Sequence, residues 1–244
     1  MTETTLLIDQ GNTRLKWVLA NAGEIIEQSA GHGDLAAFMR VFGPEAQGNP
    51  AAILFSSVAD KEEARALTDF CASHWGLKAQ LLESTAQRGG VQNAYPEPAT
   101  LGVDRWLAIV GAVARYGKPV VIWDLGTAAT VDAVDAAGQH LGGMIYPGPA
   151  TMLRSLSRDT KLKVSMQVEQ ASSEPGRSTA SCINNGVFAA QVGALNQFQR
   201  SVSAEIGTEA KLILTGGAAS ALLPFLDFEY IHDPWLVFRG MLID

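Results

Sequence analysis

Three aspartates sit where phosphate chemistry could be done. Asp9 ends the apolar run Leu6–Ile8 and opens the turn DQGNT. Asp124 ends VVIW and opens DLGT, and Asp104 lies in GVDRW, between a proline-containing loop and a strongly apolar stretch. A carboxylate at a strand end can hold Mg²⁺ directly or through water. One at a loop–helix junction can take a proton from a substrate hydroxyl. In DQGNT, Gly11 allows a left-handed backbone and close approach of amides to a ligand, while Asn12 and Thr13 add side-chain donors. Lys16 places a compact cation on the hairpin face opposite Trp17. Both readings stay open for each motif alone: DQGNT also suits an ordinary hairpin, and Asp104 stands where an N-cap is expected.

These residues need strands and helix starts to hold them. Leu6–Ile8 and Leu15–Leu19 read as the strands of one hairpin, and Val120–Ile145 carries a second such pair. Asp9, Gly11 and Gly23 stand 115 positions before Asp124, Gly126 and Gly138, a shared offset that suggests one duplicated hairpin. Each copy continues into a short apolar strand ending in small residues, AAILFSSVA at 51–59 and KLILTGGAA at 211–219, followed by a helix-like stretch. The chain therefore reads as α/β with two halves of similar plan, residues 1–116 and 117–244, meeting near RYGKP, where a helix over 104–114 runs into Gly and Pro. Paired Asp-x-Gly turns point to a nucleotide cleft between the halves. A further helix begins near Ser178 or Thr179, and its start either is capped by Thr179 or offers amides to an anion.

Composition narrows the classes. At 244 residues, 47% hydrophobic and 18% charged, the chain can bury sizeable cores, and a formal charge of −7 opposes nucleic acid and anionic membranes. No apolar run approaches the roughly 20 residues that span a bilayer. Two distant cysteines, Cys71 and Cys182, and four scattered histidines give no disulfide framework and no metal-ligand spacing, and the expected compartment is the cytoplasm. The five tryptophans read as core or interface residues. No Walker-type loop, Gly-x-Ser-x-Gly elbow or Gly-x-Gly-x-x-Gly fingerprint occurs.

Taken in order, DQGNTRLK, NAYPEPATLGVDRW, DLGTAATVDAV, GGMIYPG and TGGAA resemble the motif series of type III pantothenate kinases, over nearly the whole chain. The resemblance implies two tandem ribonuclease H-like domains of the actin-like ATPase, sugar-kinase and heat-shock-ATPase superfamily. It implies ATP-dependent phosphorylation of pantothenate, the first step of coenzyme A synthesis, by a homodimer using Mg²⁺ and a monovalent cation, K⁺ or NH₄⁺. By matching positions, Asp9, Gln10, Gly11, Asn12, Thr13, Arg14, Leu15 and Lys16 would form the phosphate loop and Thr127 a second ATP contact. Asp104 would be the general base. Tyr95, Gly102, Val103, Arg105 and Thr179 would line the pantothenate site, with Thr179 reaching across the dimer interface. Asp124 would hold the monovalent cation, and Asp9 Mg²⁺. The family's adenosine-side motif usually reads Thr-Gly-Gly-Asp-Ala, and here Ala218 replaces the Asp. The same resemblance admits a non-catalytic regulator acting through a protein partner.

Overall fold

Thr4–Gln10 (β1) and Leu15–Asn21 (β2) pair antiparallel with Gln10 facing Leu15, so the turn consists of Gly11, Asn12, Thr13 and Arg14. Glu24–Gly33 (β3) follows through a tight turn in which Ala22 and Gly23 both have positive φ, at 49° and 82°, as a two-residue hairpin of this twist demands. Leu35–Val41 (α1), Ala52–Ser57 (β4), Lys61–Trp75 (α2) and Gln80–Leu81 (β5) complete a five-stranded sheet of order β3-β2-β1-β4-β5. Here β1, β4 and β5 run parallel. Leu6 and Ile8 of central β1 pack with Leu15, Trp17, Phe38, Phe55 and Leu67. A fully buried Leu or Phe side chain contributes about 1.5–3 kcal/mol, so this face fixes the register of β1.

A two-stranded ribbon, Gln87–Arg88 (β6) with Val91–Gln92 (β7), leads into Val103–Tyr116 (α3), in which every residue from Arg105 to Val113 is buried. Then the plan repeats. Val120–Leu125 (β8), Ala128–Val134 (β9), His140–Pro147 (β10), Lys211–Thr215 (β11) and Ile231–His232 (β12) form a second five-stranded sheet of order β10-β9-β8-β11-β12, with the same senses at each pairing. Its helices are Pro149–Asp159 (α4), Thr179–Ser201 (α5), Ser203–Ile206 (α6) and Ala219–Leu222 (α7). The duplicated hairpins are not identical: Leu125 faces Ala129, which makes the second turn one residue shorter than the first. His140 is buried with its ring 3.0 Å from Asp132.

The computed structural model describes residues 4–43, 49–159, 172, 174–207, 210–223 and 226–244. It divides into Tyr116–Trp235 and a unit joining Met1–Arg115 to Leu236–Asp244. The chain's last residues, assigned to the second half by their position in sequence, thus return to the first. Leu236–Met241 (α8) makes this possible by packing on α3 through paired glycines. A Cβ on Gly240 would strike the Leu107 carbonyl, and one on Gly111 the Leu236 carbonyl. Only side-chain-free positions allow such an approach.

Candidate active site

In the first unit, Asp9 is the last buried residue of β1, at 6% exposure, and lies on the strand face opposite Leu6 and Ile8. The sheet register sets Lys16 of β2 on one side of it and Ser56 of β4 on the other. Ser56 Oγ donates to Asp9 Oδ1 at 2.9 Å. Burial raises the Asp9 pKa above the usual carboxylate value. Lys16 and the Ser56 hydrogen bond pull it back down, and the charge of Asp104 pushes it up again. That coupling brings Asp104 electrostatically within reach of the strand end, although the two lie 95 positions apart.

The turn closes by Gly11 N–H donating to the Arg14 carbonyl at 3.1 Å and leaves Asn12, Thr13 and Arg14 exposed. Gly11 does not adopt the left-handed conformation that its type suggested. A Cβ there would make only an ordinary 3.4 Å contact with the Arg14 carbonyl, so what glycine supplies is an uncovered backbone. Leu15 is in the core and can offer a ligand only its backbone, while Gln10 is half-buried with Oε1 accepting from Ser57 Oγ at 3.1 Å. Ser56 and Ser57 escaped notice in the sequence. Their signal was two hydroxyl residues ending an otherwise apolar strand, AILFSS.

Helix α3 starts one residue before Asp104, so Asp104 is not its N-cap. Trp106 N–H bonds the Gly102 carbonyl at 3.0 Å, which makes Gly102 the capping position. Asp104 lies in the first turn, half-buried, with Oδ1 accepting from Arg105 N–H at 2.8 Å. A Cβ on Gly102 would stand 2.8 Å from Asp104 Oδ1, so a side chain there would push the carboxylate aside. Val103 is buried and could offer a ligand only the backbone amide that a first helical turn leaves without an intrahelical partner. Arg105 is 7% exposed, and its Nη1 donates to the Tyr95 hydroxyl at 3.0 Å. Asn93 shapes the Tyr95 loop, accepting from Tyr95 N–H at 3.0 Å and donating to the Thr85 and Pro98 carbonyls. Asp9, Lys16 and Asp104 thus interact, and Tyr95 joins Arg105, all within one unit.

In the second unit, Gly216 crowds Asp124 and Gly148 crowds the turn that follows it. Gly216, at φ +91°, has no room for a Cβ beside Asp124 Oδ1 and the Leu125 backbone. Gly148 packs equally closely on the Gly126 carbonyl. Ala218 N–H donates to the Leu125 carbonyl at 2.9 Å, and the Thr127 carbonyl accepts from Gly148 N–H at 3.1 Å and Thr151 Oγ1 at 2.7 Å. Ala218 is the N-cap of α7 and gives it no side-chain cap. Thr179 is the exposed first residue of α5. The cap is Ser178, in a reciprocal box with Ser181, so the capping role weighed for Thr179 belongs to its neighbour.

Among the described residues no cluster of three or more His, Cys, Asp or Glu side chains could hold a metal. That does not disqualify Mg²⁺, which takes one or two carboxylates, substrate phosphates and several waters. Asp9 fits this pattern as a single carboxylate beside an exposed turn. The oxygen donors at the second turn, the Asp124 carboxylate and nearby backbone carbonyls, suit a hard cation as well. No helix among the described residues is long and apolar enough to cross a membrane.

The family model for type III pantothenate kinases matches residues 5–201, a span that includes both Asp-x-Gly turns and GVDRW. The chain belongs to the type III pantothenate kinase family. A type III pantothenate kinase from Nitrosococcus oceani is 33% identical, over 97% of this chain and 91% of its own. Among solved structures, a protein described as a Baf family transcriptional activator from Campylobacter jejuni is 21% identical, with a TM-score of 0.58 over 97% of this chain and 94% of its own. An activator of 2-hydroxyisocaproyl-CoA dehydratase from Clostridium difficile, with bound ADPNP, is 14% identical, with a TM-score of 0.55 over 98% of this chain and 91% of its own. Likenesses at this identity establish the fold alone: the two-domain α/β fold of the actin-like ATPases and sugar kinases.

Proposed function

We propose that this protein phosphorylates pantothenate with ATP, opening coenzyme A synthesis. The observation that carries the reading is family membership together with the first-unit geometry, in which Asp9 stands in register between Lys16 and Ser56 while its charge feels Asp104. Phosphoryl transfer asks a protein mainly to align the groups and to offset charge. Asp9 to Lys16 form the phosphate loop, with Asp9 holding Mg²⁺ and Lys16 placing its ammonium against phosphate oxygens. Bound Mg²⁺ would offset charge on the β- and γ-phosphates. Thr127 makes a second ATP contact, and Asp124 holds K⁺ or NH₄⁺.

Asp104 takes the proton of the pantothenate hydroxyl as its oxygen bonds to the γ-phosphorus, and the bond from that phosphorus to the β,γ-bridging oxygen breaks to release ADP. A buried guanidinium held by a phenol is preorganised to grip a carboxylate or amide, so Arg105 and Tyr95 anchor the substrate. The Gly102 and Val103 backbone lines the pocket beside them. Thr179 completes it, contributed across a homodimer interface in the cytoplasm. A regulator that only senses nucleotide would not need Asp104 and Arg105 retained beside Asp9 and Lys16. Incubating the pure protein with ATP, Mg²⁺ and K⁺ and, separately, pantothenate, hexoses or acetate tests the reading. ADP release with pantothenate alone is expected, and none with any acceptor would refute turnover.

A further inference from the structure

We infer that Ser56 and Ser57 are positioning residues for the phosphate loop, with Ser56 setting the orientation of the Asp9 carboxylate toward its metal. The argument begins with strand pairing. β4 lies parallel to β1 with Ser56 level with Asp9 and Ser57 level with Gln10. Successive residues of a strand face opposite sides of a sheet, so two consecutive hydroxyl residues are needed to reach both neighbours. Each does so: Ser56 Oγ donates to Asp9 Oδ1 at 2.9 Å, and Ser57 Oγ to Gln10 Oε1 at 3.1 Å.

The surroundings make these bonds orienting ones. Ser56 is wholly buried, so no water competes for its hydroxyl. A carboxylate turns about a broad, roughly two-fold torsion, and a fixed donor on one oxygen selects one orientation. Among the described residues the Asp9 carboxylate accepts no other hydrogen bond, which leaves Oδ2 uncommitted. The strand end is itself pinned, because Val58 N–H donates to the Gln10 carbonyl at 2.9 Å and Ala59 N–H to Ser57 Oγ at 3.2 Å. Ser56 therefore acts through Asp9 on the metal. Ser57 acts through Gln10 on the turn that follows it.

The inference rests on Asp9 as the metal-holding residue, and the test separates the two. Mn²⁺ binding to the ATP complex of the full chain is measured by electron paramagnetic resonance without pantothenate, for the wild type, Ser56→Ala, Ser56→Cys and Ser57→Ala. Loss of an orienting bond to a charged group should weaken Mn²⁺ affinity roughly 10-fold in Ser56→Ala. Ser56→Cys fills the same space with a poor donor and should follow Ala, and it carries the test if the Ala protein does not fold. Ser57→Ala should weaken Mn²⁺ affinity too, but only about threefold, because its bond reaches the loop through Gln10 and leaves the Asp9 carboxylate oriented, and wild-type affinity there would remove Ser57 from the inference. Wild-type affinity in Ser56→Ala, or in Ser56→Cys alone, would overturn the inference, the second outcome by assigning the effect to packing. An Asp9→Asn protein that binds Mn²⁺ like the wild type would instead remove the reading of Asp9 and the inference with it.

Discussion

Arg105 Nη1 donates to the Tyr95 hydroxyl at 3.0 Å, and the guanidinium carbon lies 5.9 Å from the centre of the same ring. A loop residue thus holds a helix residue that is almost entirely buried. Removing the phenol oxygen while keeping the ring should free the guanidinium to turn. Tyr95→Phe is expected to raise the pantothenate KM about 10- to 150-fold, corresponding to one charge-assisted hydrogen bond, and to leave the ATP KM unchanged. Steady-state kinetics with each substrate varied in turn check this, and an unaltered pantothenate KM would detach the pair from the substrate.

The raised pKa of Asp9 has a consequence for stability. Its largest cause is burial, so the folded protein resists ionising this carboxyl more than the unfolded chain does. Between the unfolded value and the raised folded value the native state binds more protons, and stability falls as pH rises through that window. Metal-free Asp9→Asn should accordingly be more stable than the wild type at pH 7, though inactive. Urea unfolding of both proteins should show the gap shrinking as pH is lowered toward the ordinary carboxylate value of 3.8. A less stable variant at pH 7 would contradict the burial argument.

The two thiols should separate by reactivity. Cys71 is fully buried, and burial pushes its thiol up to about 11, whereas Cys182 is exposed. Only the thiolate reacts with disulfide reagents. Native protein at pH 8 should therefore titrate one fast thiol, and Cys71 should appear only on unfolding. Two fast thiols would show that the α2 face opens readily.

The return of α8 to the first unit can be tested with glycines. At Gly240 a Cβ meets the Leu107 backbone, which cannot move aside as a side chain could, so Gly240→Ala should cost about 1–3 kcal/mol. Gly193 sits within α5 with nothing inside 4 Å of its Cβ position, so Gly193→Ala should instead gain up to about 1 kcal/mol. Equal effects in thermal unfolding would mean that α3 and α8 are not in contact.

What could be read from residues alone was whatever local chemistry controls. The Asp-x-Gly turns, repeated at a constant offset, announce two similar halves because punctuation by Gly and Asp depends on backbone conformation nearby. The start of α3 was legible to within one residue. Its cap was not: glycine is an ordinary turn residue, and only the Trp106 N–H bond to its carbonyl shows that Gly102 holds the capping position. The return of Leu236–Asp244 was hidden because Gly111 and Gly240 lie far apart in sequence and act only once two helices meet. Ser56 shows the same limit. In AILFSS it reads as a strand ending, and its partner 47 positions away emerges only when β1 and β4 align.

Turnover of Asp104→Asn is the most direct measure of the whole account. A general base in phosphoryl transfer contributes about 10²–10⁴-fold, so kcat with pantothenate should fall by that factor while ATP binding and the unfolding midpoint stay near wild type. A variant that phosphorylates pantothenate at close to the wild-type rate would contradict the assignment of Asp104.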